Sequence, residues 1–102
     1  MSIKKNELKS KKIKVTFKVE SDVAKKFSTA SLVGDFNNWD NSKDVMKKLK
    51  KDGSFTIQKT FAAGKEYQFK YLLGENNWEN DSNADKFAAT EFADSQNSVL
   101  VL

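Results

Sequence analysis

The feature that most constrains the fold is a strict alternation of apolar and polar side chains. Residues 13–19 (IKVTFKV) place an apolar residue at every odd position and a polar residue at every even one. Successive side chains of a strand point to opposite faces, so this pattern predicts a strand with one buried face. The alternation recurs in EYQFKYLL, at Tyr67, Phe69, Tyr71 and Leu73.

Turn signals separate these strands from further ones. Residues 51–54 (KDGS) are typical of a tight hairpin, because Asp-Gly tolerates positive φ. The segment that follows, SFTIQKTF, keeps Phe55, Ile57 and Phe61 on one side of an extended chain, and residues 62–65 (AAGK) predict another turn. TASLVG and NSVLVL are two more β-prone segments. Six or so short strands at this spacing predict an all-β sandwich.

The remaining segments are less regular. Residues 1–12 form a predicted basic N-terminal arm, either loose or a short pairing extension, ahead of a single domain over residues 13–102. Residues 20–28 are expected to be a connection. Residues 43–51 fit either a helical turn or a strand with Met46 and Leu49 inward. The stretch from Gly74 to Asp85 is expected to be a polar loop.

Composition narrows the chemistry. The 102 residues include no cysteine and no histidine, which excludes disulfides, thiolate metal sites, cysteine nucleophiles and the commonest general base. No stretch reaches the roughly 20 apolar residues of a membrane span, and no apolar segment follows the lysine-rich start. The expectation is a cytoplasmic protein without a membrane partner.

Charge is distributed unevenly. Residues 1–26 contain nine lysines and three acids, whereas residues 75–102 contain six acids and one lysine. The basic segment, residues 1–26, is either a surface for nucleic acid or another anionic partner, or an ordinary solvated tail and strand face. All 18 basic residues are lysine. Arginine dominates base and phosphate recognition, so we expect no nucleic-acid partner.

The two tryptophans, Trp39 and Trp78, lie in the related motifs DFNNWD and NNWEND. An exposed indole with polar neighbours suits a sugar, because a pyranose has one C–H face and a rim of hydroxyls. Covering ~50 Å² per ring contributes on the order of 1 kcal/mol. The alternative is that one or both indoles plug the end of the sandwich.

Lys70 interrupts an aromatic strand on the face opposite Tyr67, Phe69 and Tyr71. Its expected outer-face neighbours are Gln68 and Leu72. It either offers its ammonium to a ligand hydroxyl or is an ordinary exposed strand lysine.

A glycosidase needs two carboxylates across a cleft, one of them with a raised pKa. The candidate carboxylates are all expected in polar loops that give no reason for a raised pKa: Asp35, Asp40, Glu79, Asp81 and Asp85. NDSNAD lacks the D-x-[DN]-x-[DN]-G spacing of a calcium loop. The sequence therefore predicts no enzyme, no metal and no cofactor.

The ordered set LVGDFNNWD, a methionine, DGSF, AAGKEYQFKYLL, NNWEND and NSVLVL resembles carbohydrate-binding module family 48. This family includes the glycogen-binding domain of AMP-activated protein kinase β subunits and the N-terminal early-set domain of isoamylase-type enzymes. The resemblance covers residues 13–102. It implies an immunoglobulin-like early-set β-sandwich that binds glycogen and related α-1,4-glucans at a shallow surface site, with a glycogen-metabolism protein as a further expected partner.

Carried over by motif, the resemblance assigns sugar binding to five residues. Trp39 and Trp78 match the stacking tryptophans, Lys70 matches a lysine that bonds sugar hydroxyls, Asn97 matches a sugar-binding asparagine, and Ser95 replaces a nearby threonine.

Two features depart from the family pattern. Ala93 stands near a leucine of the kinase-type domains, and the loop before Trp78 is longer than usual. The alternative is therefore a stand-alone early-set protein-interaction module that has lost sugar binding.

Overall fold

The computed structural model describes residues 1–90 and 95–102. Within these residues the strands, numbered in chain order, are β1 (Ser2–Leu8), β2 (Lys12–Val19), β3 (Ala30–Gly34), β4 (Lys47–Lys48), β5 (Phe55–Ala62), β6 (Glu66–Leu73), β7 (Asn77–Glu79), β8 (Lys86–Ala89) and β9 (Gln96–Val101). There are also two short helices, α1 (Ser21–Ala24) and a 3-10 helix (Asp35–Asn37). No helix in the described part of the chain is long and apolar enough to cross a membrane.

The strands form two antiparallel sheets, as the all-β prediction requires. Sheet A has the order β1-β2-β5-β4, and sheet B has the order β3-β6-β9-β8. β3 pairs along one edge of β6. The other edge is shared by β9, which pairs with the start of β6, and β7, which pairs with its end. β6 is therefore the strand from which the rest of sheet B is positioned.

The predicted apolar faces of the two sheets meet in one core. The contributing side chains include Val15, Phe17, Val19, Phe55 and Phe61 from sheet A and Leu32, Phe69, Tyr71, Leu73 and Leu100 from sheet B. The Phe17 and Phe69 rings join the sheets edge to face, with centroids 5.4 Å apart. Burying each large apolar side chain contributes about 1.5–3 kcal/mol, so this core is the main source of stability.

The N-terminal segment pairs with the domain. β1 is antiparallel to β2 along its whole length, which matches the pairing extension that the sequence left open. Ile3 packs against the core. The Lys5 ammonium lies 2.7 Å from both carboxylate oxygens of Asp85, so β1 also contacts the segment that leads into β8.

Two local predictions have clear outcomes. The hairpin at residues 51–54 is confirmed, because β4 and β5 pair across it and Gly53 has φ of 77°. The polar loop at residues 74–85 is only partly correct. A turn at residues 74–76 returns the chain so that β7 pairs with β6, and Trp78 therefore lies on a strand. The sequence did not predict β7, because its three residues are too few to show an alternation of apolar and polar side chains.

Candidate functional site: a cavity lined by two tryptophans

An open cavity of about 330 Å³ lies on the outer face of sheet B. We call it the indole cavity, and the described residues that line it are Trp39, Lys70, Trp78, Thr90, Ser95 and Asn97. It brings together all five residues that the sequence predicts as a site. Thr90 is a sixth lining residue that no motif indicated. Ala93 lies outside the described residues.

Strand alternation places Lys70 and Trp78 on the same face. Lys70 lies between Phe69 and Tyr71, which are buried in the core, so its side chain points to the outer face. Trp78 is the cross-strand partner of Leu72, the next outward residue of β6. Directly opposed residues have Cβ atoms about 4.5–5.5 Å apart. The Trp78 indole thus stands over the end of β6, one outward position from Lys70.

Both indoles are exposed to solvent. The relative accessibility is 38% for Trp39 and 46% for Trp78, and neither belongs to the core cluster. The alternative that they plug the end of the sandwich is therefore wrong. Two large apolar faces are instead available at one cavity.

Trp39 projects from a turn whose backbone is unusual. Asn38 and Trp39 both have left-handed φ values, 56° and 58°. Such values are uncommon for a bulky aromatic residue and persist only where the surroundings impose them. The Trp39 N–H donates to the Gly34 carbonyl at 2.9 Å, which closes the turn.

Asn37 holds this turn from inside the protein. Its buried amide nitrogen donates to the Leu32 carbonyl at 3.0 Å and to Asp44 Oδ2 at 2.7 Å. Its amide oxygen accepts from the Gly34 N–H at 3.0 Å. The two asparagines before Trp39 therefore have different roles. Asn37 holds the turn through hydrogen bonds inside the protein, and Asn38 is one of the two residues with a left-handed backbone.

Asp35 connects Trp39 to β6. Its Oδ1 accepts from the indole Nε1 of Trp39 at 3.0 Å, and its Oδ2 accepts from the backbone N–H of Gln68 at 2.8 Å. The side-chain oxygen of Gln68 accepts from Asn97 Nδ2 at 3.0 Å. A continuous chain of hydrogen bonds thus runs from Trp39 to Asn97.

At the other side of the cavity, Lys70 Nζ donates to Ser95 Oγ at 3.4 Å. The backbone N–H of Thr90 donates to the Ser95 carbonyl at 3.2 Å. Ser95 and Asn97 therefore reach the cavity from the start of β9, next to the end of β8. The alternation in β6 predicts that Gln68 lies on the outer face, whereas nothing in the sequence indicated Thr90.

None of the candidate carboxylates is among the described residues that line the indole cavity. Asp81 lies in the predicted polar loop between β7 and β8, but its side chain is fully buried and accepts a hydrogen bond from the Tyr71 hydroxyl at 2.7 Å. Burial, and secondly the Asp81 charge, raises the pKa of Tyr71 well above its ordinary value. Hydrogen bonds from Ser42 lower the pKa of Asp40. None of the described lining residues is a carboxylate. Among residues 1–90 and 95–102, no acidic cluster is arranged to hold a metal ion.

The chain matches no protein-family model and no curated protein sequence. The indole cavity and the sequence motifs are the features that bear on its function. Two exposed aromatic faces beside an ammonium, an amide and hydroxyls are suited to a ligand with a flat apolar side and a polar rim.

Proposed function

We propose that the protein binds glycogen-like or starch-like α-1,4-glucans at the indole cavity without catalysis. One observation carries the proposal: exposed Trp39 and Trp78 line a single open cavity together with Lys70 and Asn97. The ordered resemblance of residues 13–102 to carbohydrate-binding module family 48 supports it. On this proposal the two sheets form an immunoglobulin-like early-set sandwich, and the protein acts in the cytoplasm beside enzymes of glycogen metabolism.

The cavity offers a sugar complementary contacts. Because the Trp39 indole N–H already bonds Asp35, this residue offers the face of its ring rather than a hydrogen bond. Lys70 supplies an ammonium donor, and Asn97 supplies an amide oxygen while its nitrogen bonds Gln68. Two stacking platforms with a few hydrogen bonds correspond to a Kd between millimolar and micromolar, or about −4 to −8 kcal/mol.

The polar groups of the cavity support the proposal of binding without hydrolysis. Glycoside hydrolysis uses two carboxylates on either side of the scissile bond. The described lining residues supply ammonium, amide, hydroxyl and indole groups. These groups can orient a glucan, and none of the described lining side chains is a carboxylate.

Tryptophan fluorescence tests the proposal directly. We expect a saturable change with maltoheptaose and no change with cellohexaose, and we expect Trp39→Ala and Trp78→Ala each to weaken binding at least tenfold. Phe87→Ala is the matched control, because Phe87 is an exposed aromatic residue outside the cavity lining. Absence of both a fluorescence change and co-sedimentation with glycogen would rule the proposal out.

A second candidate function is docking to an acidic protein surface, and one observation favours it. The outward positions of sheet A carry five lysines, which we call the lysine face: Lys4, Lys12, Lys14, Lys18 and Lys47. No acidic residue occupies an outward position of the four described strands of this sheet. Asp52, in the loop between β4 and β5, has its Oδ2 3.8 Å from Lys18 Nζ.

Charge reversal separates the two candidates. If the lysine face is the functional surface, Lys12→Glu with Lys14→Glu abolishes salt-sensitive capture of an acidic protein, while Trp39→Ala leaves capture intact. If capture survives the reversal, this candidate fails.

A further inference from the structure

We infer that Asp35 is a positioning residue of the indole cavity, which orients the Trp39 ring and, through Gln68, couples it to Asn97. The consequence for sugar affinity rests on the proposed glucan binding. The orientation of the ring does not, because it is a property of the free protein.

The turn that carries Trp39 requires such a restraint. Asn38 and Trp39 both have left-handed conformations, which are uncommon for a bulky aromatic residue and persist only where surrounding contacts hold them. The Gly34 carbonyl fixes the Trp39 backbone, and the inward clamp of Asn37 fixes the turn. Among the hydrogen bonds that the described residues make in this turn, only the one accepted by the Asp35 carboxylate involves the ring itself.

Asp35 is well placed for this role because it is anchored to a strand paired along both edges. β3 ends at Gly34, which pairs with Phe69. The next N–H on the same edge of β6 is that of Gln68, and Asp35 Oδ2 accepts from it at 2.8 Å. The carboxylate therefore takes the place that a further residue of β3 would have filled. Asp35 Oδ2 thus continues the hydrogen bonding of the sheet, and Asp35 Oδ1 accepts from the indole N–H of Trp39.

The same anchor reaches Asn97. Gln68 lies opposite Val99 in the β6–β9 pairing, and its side-chain oxygen accepts from the Asn97 amide at 3.0 Å. Asn97 is thereby oriented by the residue whose backbone holds Asp35. The stacking face of Trp39 and the polar group of Asn97 are fixed relative to one another before any ligand arrives, which reduces the ordering that binding requires.

A ligand-free measurement tests the orientation. In a Trp78→Phe background, Trp39 is the sole tryptophan, so its indole Nε1–H resonance and the water-exchange rate of that proton report on this contact alone. We expect Asp35→Ala to shift the resonance and to accelerate exchange on the order of tenfold. Asp35→Asn keeps one oxygen that can accept from only one of the two donors. Its indole resonance and exchange rate are therefore expected to lie between those of Asp35→Ala and the parent.

Asp40→Asn is the matched control, because the Asp40 side chain bonds Ser42 rather than the indole; it is expected to leave the resonance unchanged. An Asp35→Ala protein that folds with an unchanged resonance and exchange rate would overturn the inference. If Asp35→Ala does not fold, Asp35→Leu, which removes both acceptors and keeps a side chain of about the same length, decides: an altered resonance supports the inference, and an unaltered one overturns it.

A second measurement, with Trp78 retained, gives the effect on affinity. Maltoheptaose Kd is expected to rise on the order of tenfold in Asp35→Ala and less in Asp35→Asn. If the parent protein binds no glucan, the proposed function fails, while the indole resonance still decides the orientation. If the parent binds and Asp35→Ala matches it within twofold, the coupling to affinity is wrong.

Discussion

The Tyr71 hydroxyl donates a 2.7 Å hydrogen bond to Asp81 Oδ2, and both side chains are buried. Asp81 Oδ1 accepts from the Asn83 N–H at 2.8 Å, and the Asp81 N–H donates to Ser98 Oγ at 2.9 Å. These bonds tie the segment after β7 to β6 and β9. β7, which carries Trp78, is thus held by the turn before it and by a buried polar contact after it.

The first prediction concerns alkaline stability. Burial and the Asp81 charge raise the pKa of Tyr71 well above its ordinary value of 10.0. The folded state therefore keeps the phenol proton at a pH where the unfolded chain releases it, so unfolding is progressively favoured above about pH 10. Urea unfolding at pH 8, 9, 10 and 11 should show this loss.

Tyr71→Phe is the comparison that isolates the phenol from the lysines, which lose charge in the same range. At pH 8 it should cost about 1–3 kcal/mol, because Asp81 loses a buried donor. Its stability should then fall less steeply above pH 10 than that of the parent. Parallel curves for the two proteins would contradict this account.

The second prediction concerns the Asn37 clamp. Asn37→Ala removes three hydrogen bonds from a buried amide and leaves the Leu32 carbonyl and the Gly34 N–H without this partner. Unfolding free energy should fall by on the order of 3 kcal/mol. The control is Asn41→Ala at a neighbouring exposed position, where less than ~0.5 kcal/mol is expected. Equal denaturation midpoints for the two variants would show that the clamp adds nothing.

Sequence pattern was sufficient for the parts of the fold that long alternating segments determine. β2, β5 and β6 have five or more residues in which apolar side chains recur on one face, and each lies where the alternation predicts it. β7 and β8 were missed because three or four polar-flanked residues carry no period. Their pairing is imposed by the turn after β6 and by β9.

Five of the six described residues that line the candidate site were named from the sequence, but their arrangement was not. Alternation alone indicates that Lys70 points outward, and the motifs single out the two indoles. The roles of Asp35 and Gln68 depend on a side chain meeting a backbone N–H 33 positions away, which no local pattern records. The burial of Asp81 was not predictable, because its sequence neighbours are polar and the partner that makes its burial tolerable is a tyrosine from the core.

The third prediction concerns Gly34, which pairs with Phe69 of β6 at the end of β3. A Cβ at this position would lie 2.5 Å from the Gln68 carbonyl oxygen and 2.9 Å from Phe69 Cβ, and neither atom can move without distorting the sheet. Gly34→Ala should therefore cost about 1–3 kcal/mol. Chemical denaturation gives the value, and the maltoheptaose titration should show weaker binding because Asp35 follows directly.

Gly53→Asn provides the contrast to Gly34→Ala. Gly53 has open space around it and a φ of 77°, which asparagine tolerates better than other residues. Its cost should stay below about 1 kcal/mol. If this variant loses as much stability as Gly34→Ala, crowding against β6 is not what makes Gly34→Ala costly.

The last prediction separates the charge of Lys70 from its hydrocarbon stem. Lys70→Met keeps most of the stem and removes the ammonium that reaches Ser95 Oγ at 3.4 Å. If the ammonium bonds a sugar hydroxyl, Lys70→Met and Lys70→Ala should weaken maltoheptaose binding equally, by about tenfold. If the stem supplies contact area, Lys70→Met should bind like the parent and Lys70→Ala should not.

Lys14→Ala is the matched control, because it removes one lysine from an outward strand position on the opposite sheet. Loss of a net positive charge alone should leave the binding of a neutral glucan unchanged, so this variant should match the parent in isothermal titration calorimetry. A drop in glucan affinity for Lys14→Ala equal to that for Lys70→Ala would show that the effect does not arise at the indole cavity. Unchanged glucan affinity in all three variants would remove Lys70 from the proposed site.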